Sequence, residues 1–110
     1  MIDIATKPDE LKMAINYNFE WDPRKAHDNR VKHGITFDEA ATVFRDSKAL
    51  SIFDPDYSET EDRWITTGIS VKGRLLILIH TFREESDDAI TIRIISSRKA
   101  TKRETKTYGE

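Results

Sequence analysis

The sequence predicts one α+β domain, with two helices towards its N-terminal side, an antiparallel meander of about four strands, and a closing C-terminal helix. Three observations lead there. The apolar residues change period along the chain: Phe37, Ala40, Ala41 and Phe44 recur at i, i+3, i+4 and i+7, whereas Arg74–Phe82 and Ile90–Ile95 are dense β-forming runs. Turn signals at Asp54-Pro55-Asp56, Lys72-Gly73 and Glu84 to Asp88 separate runs of strand length. A chain of 110 residues supports one core and is short for two.

Residues 1–18 read as an N-terminal arm or short helix, with Pro8 suited to a first turn and Leu11, Ala14 and Ile15 at helical spacing; the domain proper is residues 19–110. Asn18–Trp21 is a short strand. Asp22-Pro23 then supplies a cap followed by proline at the first helical position, and the helix runs from Arg24 to His33 and stops at Gly34. Thr36 and Glu39 have the spacing of a capping box for the second helix, and Ile35 is placed to staple onto Ala40. Strands are expected at Ala49–Phe53, Asp62–Ser70, Arg74–Phe82 and Ile90–Ile95. In the third, Leu75, Ile77 and Ile79 oppose Leu76, Leu78 and Phe82, so both faces are apolar and the strand belongs in the middle of the sheet. In the last, Ile90, Ile92 and Ile94 share one face, which sends Arg93 to the other. Ser97 is the expected cap of the final helix, which would carry Arg98, Lys99, Lys102, Arg103 and Lys106 with only Ala100 and Tyr108 as apolar anchors.

Composition narrows the function. Charged residues are 35% of the chain and apolar ones 37%, so the core must come from the few dense runs. There is no cysteine, which removes disulfide scaffolds and thiolate metal sites and fits a reducing compartment, with the cytoplasm as the default. Charged residues interrupt the N-terminal stretch, unlike a signal peptide, and no apolar run approaches the roughly 20 residues of a membrane span. The net charge of −2 argues against a general nucleic-acid coat protein, yet acids crowd residues 54–62 and bases collect at residues 98–106, leaving room for a local basic surface.

His27, His33 and His80 lack metalloprotease spacing and companion ligands, so no metal or cofactor is expected; four scattered glycines make neither a P-loop nor a dinucleotide fingerprint. The arginines remain: Arg63 opening one strand, Arg83 closing the next, Arg93 inside the last, then Arg98 and Arg103. A meander can gather such groups on one sheet surface, where guanidinium forks suit phosphate and the charge of a phosphoryl transition state. Taken singly, each arginine is better explained by pairing with one of the central carboxylates on a solvated surface.

The run Phe19-Glu20-Trp21-Asp22, with Lys25, Asn29, Lys32-His33-Gly34-Ile35, Phe37, Glu39-Ala40 and Val43-Phe44, resembles the opening of the BrnT family of bacterial type II toxins. The resemblance continues through Asp54-Pro55-Asp56, Glu61-Asp62-Arg63-Trp64, Gly68, Gly73-Arg74 and Arg93-Ile94-Ile95-Ser96 to Arg98, Ala100, Glu104 and Tyr108, covering residues 19–108. Residues 1–18 precede the usual start, Trp64 stands where Phe is common, and Lys99 where Arg is common.

The resemblance implies a RelE-like fold and a toxin that cleaves RNA and arrests translation and growth, neutralised by a small BrnA-like antitoxin. The antitoxin would carry the pair to operator DNA, in a toxin–antitoxin heterotetramer, with no membrane partner. It further implies metal-independent attack of an RNA 2′-hydroxyl on the adjacent phosphate. Glu61 or His33 would accept the proton, His33 or Tyr108 would donate one, and Arg63, Arg93, Arg98 or Arg103 would stabilise charge. Lys25, Lys32, Arg83, Lys99, Lys102 and Arg103 would hold RNA. The rival is a non-catalytic interaction module acting as co-repressor with a DNA-binding partner.

Overall fold

The computed structural model describes residues 16–57 and 61–109. Five strands form one sheet: β1 (Asn16–Glu20), β2 (Leu50–Asp54), β3 (Arg63–Ile69), β4 (Leu75–Ser86) and β5 (Ala89–Lys99), in the order β1-β5-β4-β3-β2. Strands β2 to β5 are the expected antiparallel meander, with β4 at its centre. The sheet as a whole is not antiparallel. β1 lies parallel to β5, with Phe19 opposite Ile92 and Glu20 opposite Arg93, so the sheet is mixed. Asn16 and Tyr17, assigned from sequence to the arm, extend the strand expected from Asn18 and are part of β1; the helical spacing from Pro8 to Ile15 lies outside the described residues.

Helix α1 (Pro23–His33) begins as its sequence dictates: the Asp22 carboxylate accepts from Arg24 N at 2.8 Å, and Pro23 occupies the first turn. It ends at Gly34, whose φ of 70° is the left-handed conformation glycine adopts without steric cost. Helix α2 (Phe37–Ala41) is shorter than its apolar spacing suggests and passes into a 3₁₀ turn, Thr42–Arg45. Only half of its capping box forms: the Thr36 hydroxyl accepts from Glu39 N at 3.1 Å. The Glu39 side chain turns inwards instead, accepting from Arg74 Nε at 2.9 Å and from the Ser70 hydroxyl at 2.7 Å. That pairing holds the buried Glu39 carboxyl below its ordinary range, the Arg74 hydrogen bond being the main cause. It ties α2 to the β3–β4 hairpin.

One face of the sheet carries the core. Leu76, Leu78, Ile92 and Ile94 pack there against Ile35, Phe37, Ala40 and Val43, with Phe44 and Phe82 at the margin. Burial of each of these side chains other than Ala40 contributes about 1.5–3 kcal/mol. His80 lies in the same layer, fully buried, its Nε2 2.5 Å from the Thr66 hydroxyl; burial pushes its pKa down to about 4, so it is a neutral core group. Past Arg93 the edge of β5 is no longer covered by β1, and α1 closes it through the buried Asn29. Its Nδ2 donates to Ser97 O at 2.9 Å and to Ile35 O at 3.0 Å, while Ser97 N donates to Oδ1 at 3.0 Å. One amide thus replaces a missing strand.

The last helix starts later than expected. β5 runs on to Lys99, and Thr101, not Ser97, caps α3 (Lys102–Tyr108). A complete capping box forms there, with Glu104 N donating to the Thr101 hydroxyl at 3.2 Å and Thr101 N donating to Glu104 Oε1 at 2.8 Å. Arg98 and Lys99 are therefore strand residues. The cause is register: Ser97 pairs with Leu78 and Arg98 with Ile77, so the ladder outlasts the isoleucine run.

Candidate active face

The second face of the sheet is the one away from α1 and α2, and pairing register fixes what it carries. Asp54 on β2 pairs with Arg63 on β3, Arg63 with Thr81 on β4, Thr81 with Arg93 on β5, and Arg93 with Glu20 on β1. Directly paired residues project to the same side. A single row across all five strands therefore carries Asp54, Arg63, Thr81, Arg93 and Glu20. Glu61, just before β3, joins the row from above: its Oε2 accepts from Arg93 Nη2, and its Oε1 lies 3.9 Å from Arg63 Nε. One carboxylate is thus shared by two guanidinium groups.

The next rows are mainly aliphatic. Ile52, Ile65 and Ile79 follow one another across β2, β3 and β4, and behind them come Leu50, Thr67 and Ile77, the last paired with Arg98. Helix α3 stands over this floor, and with Leu50, Ile52, Ile65, Ile77 and Ile79 it encloses a groove of about 340 Å³. Arg98 and Arg93 stand at opposite ends of that floor, two rows or about 13 Å apart along the strand. Arg98 grips Glu104 with both nitrogens, at 2.7 and 2.9 Å, and this, with the Thr101 backbone bond, pulls the Glu104 carboxyl down to about 2. At the far end of α3 the Tyr108 hydroxyl donates to Asp46 Oδ2; burial, followed by that carboxylate, pushes the phenol up to about 12. Asp46 Oδ2 also accepts from Ile69 N at 2.8 Å, so α3 is clasped at both ends.

The sequence-predicted site residues divide accordingly. Glu61, Arg63 and Arg93 come together at the row; Arg98, Arg103 and Tyr108 line the groove beside it. Arg83 lies on the same face but is engaged by Glu85 at 2.8 Å and Glu20 at 3.6 Å. His33 is elsewhere. It lines a separate concavity with Lys25, Lys32, Ile95 and Ser96, where α1 meets β5. Lys99 and Lys102 are exposed. Among the described residues, no three His, Cys, Asp or Glu side chains are grouped to hold a metal ion. Sequence reasoning missed Asp46 and Glu104, the two carboxylates that fasten α3. The Thr101-x-x-Glu104 spacing signals the second of them; nothing local signals Asp46, which is 62 residues from Tyr108.

The crystal structure at 1.1 Å of the Brucella abortus ribonuclease toxin BrnT is similar in fold, with a TM-score of 0.50 and 21% identity; the match covers 79% of this chain and 100% of that one. No curated protein matches the sequence. The model of the family described as ribonuclease toxin, BrnT, of type II toxin-antitoxin systems matches residues 21–104, and so spans the charged row except Glu20 and most of the groove; the chain belongs to that family.

Proposed function

We propose that this face cleaves RNA without a metal, using Glu61 as the base and Arg93 with Arg63 as the charge-stabilising pair. The observation that carries this reading is the Glu61 carboxylate held between two guanidinium groups at the lip of an open groove. Glu61 removes the proton of a 2′-hydroxyl, whose oxygen bonds to the adjacent phosphorus as the bond to the 5′ oxygen breaks. The products are a 2′,3′-cyclic phosphate and a free 5′-hydroxyl. The arginines meet the growing negative charge on the phosphoryl oxygens with their guanidinium forks. His33 lines another concavity and the Tyr108 proton is engaged by Asp46, so solvent protonates the departing oxygen. Exposed Lys102 and Arg103 on α3 guide the RNA backbone towards the row.

In this reading the outcome in the cell is arrest of translation and growth. A BrnA-like antitoxin relieves it by covering the α3 face, and carries the toxin to operator DNA in a heterotetramer. The test is cleavage of total RNA by the purified chain in EDTA, with the new ends analysed. Cyclic phosphate and 5′-hydroxyl ends, lost in Glu61→Gln, are expected. Linear 3′-phosphates formed only with an added metal would reject the mechanism. A second reading, a non-catalytic co-repressor module, draws on the aliphatic floor of the groove, which suits a protein segment; it predicts RNA left intact by a folded, partner-binding chain.

A further inference from the structure

Strand β2 ends the sheet, so one row of its backbone N–H and C=O groups has no neighbouring strand among the described residues. Such edges are ordinarily protected by lysine, proline, a bulge or a cover. Between Leu50 and Asp54 there is neither lysine nor proline, and the pairing with β3 runs without a break in register. The side chains are those of an interface. Leu50, Ile52 and Phe53 are 50%, 61% and 43% exposed, three large apolar groups on a strand of five residues. Leu50 and Ile52 on one face and Phe53 on the other leave exposed apolar side chains on both sides of this edge.

We infer that β2 pairs with β2 of a second copy of this chain, antiparallel about a two-fold axis at Ile52, joining the two sheets edge to edge. Antiparallel pairing of identical strands is self-complementary and closes at two copies, so it consumes the edge and leaves no end for further growth. Placed at the strand's midpoint, the axis sets Ile52 against Ile52, Ser51 against Phe53 and Leu50 against Asp54, using the whole of β2. The flanking charges select the same arrangement. Lys48 lies four residues before Ile52 and Asp56 four after it, and both are exposed. An antiparallel dimer brings the Lys48 end of one strand beside the Asp56 end of the other, whereas a parallel one would align like charges.

The sheet faces also agree. A two-fold axis normal to the sheet keeps equivalent faces on the same side. Leu50 and Ile52, which floor the groove beneath α3, would then lie on the same side as the second copy's Leu50 and Ile52, with the two Ile52 side chains meeting at the axis, so that the two apolar floors adjoin. The inference does not depend on the ribonuclease reading, since β2 contributes no residue to the Glu61–Arg93 pair.

The chain has no cysteine, so Ile52→Cys supplies a single thiol to the full-length protein. Directly opposed residues of an antiparallel pair have Cα atoms about 4.5–5.5 Å apart, within the span a disulfide bridges. Light scattering on the wild type should give twice the 12.8 kDa chain mass. Mild oxidation should convert Ile52→Cys to a covalent dimer, while Val71→Cys, at a site 70% exposed in the β3–β4 turn, should cross-link far more slowly. Ile52→Lys places two ammonium groups across the axis and should raise the dimer dissociation constant by about tenfold or more. Because Ile52 is largely in water already, circular dichroism should show an unchanged fold. A wild type that stays monomeric at micromolar concentration, with Ile52→Cys cross-linking no faster than Val71→Cys, would overturn the inference. So would assemblies larger than two, or amide protection of residues 50–54 found only in complexes with a different protein.

Discussion

Replacing Arg93 with alanine separates an arginine that stabilises the sheet from one that acts on a phosphate. Arg93 is held by β5 register and, among the described residues, pairs with Glu61; the side chains of the pair remain 42% and 33% exposed. An ion pair so open to water contributes about 0–1 kcal/mol. The substitution does not strand a carboxylate either, because Glu61 keeps Arg63 at 3.9 Å. The expected loss of stability is therefore at most about 1 kcal/mol, which in a domain of this size lowers the melting temperature by roughly 4–8 °C. If Arg93 meets charge that grows in the transition state, its removal should slow cleavage about 10²- to 10³-fold, equivalent to about 3–4 kcal/mol. Lysine should recover only part of this, since it keeps the charge and loses the fork. The assay is initial cleavage rate per folded molecule, with the folded fraction taken from a melt on the same preparation. A large fall in melting temperature with unchanged activity of the folded fraction would refute the assignment.

Asn29→Ala should lower stability by about 2–3 kcal/mol in urea titration, because it leaves two buried carbonyls and the Ser97 N–H without their partner; full retention of the midpoint would show that water replaces the amide. His80 should make stability fall with acidity: its folded pKa of about 4 lies below the ordinary 6.5, so the unfolded chain binds the extra proton as pH drops through that interval. The contribution is fully present above about 6.5 and lost towards 4, amounting to about 3 kcal/mol, and melts of the wild type and His80→Gln between these pH values should diverge accordingly. Glu104, held near 2, leaves that window to His80, since its own contribution is present above about 4.5 and lost only as pH falls through about 2.

Much of this architecture is legible in the chain because local physics and tertiary packing agree. Alternation in β4 and β5 fixes which side of the sheet Arg93 occupies, and the Asp22-Pro23 start and Gly34 stop of α1 are set by backbone sterics alone. What is hidden depends on distant partners. β1 finds its place only against β5, in a parallel pairing more than 70 residues away in sequence, and a five-residue strand carries no mark of direction. Glu39 has the spacing of a capping box, yet the half-buried Arg74 offers its carboxylate a stronger partner than a backbone N–H, so the local signal is overridden. The end of β5 is misread for a similar reason. Ser97 has a cap's chemistry, but Asn29 satisfies its backbone from α1 and keeps it in the sheet.

The two faces of β4 and β5 divide the work of a small domain. On the helix side Leu76, Leu78, Ile92 and Ile94 are at most 1% exposed, and change there disturbs a packed core. On the other side Arg63, Thr81, Arg93 and Arg98 are all half-buried, held by register rather than by close packing. Residues on such a face can be exchanged at little cost in stability while their positions stay fixed by the strands beneath them. That combination suits a site whose chemistry is electrostatic, because preorganised charge requires a rigid support and not a buried one. It also means that loss of activity by substitution at this face need not be accompanied by loss of fold, so an inactive variant should still present the groove and α3 intact to a protein partner.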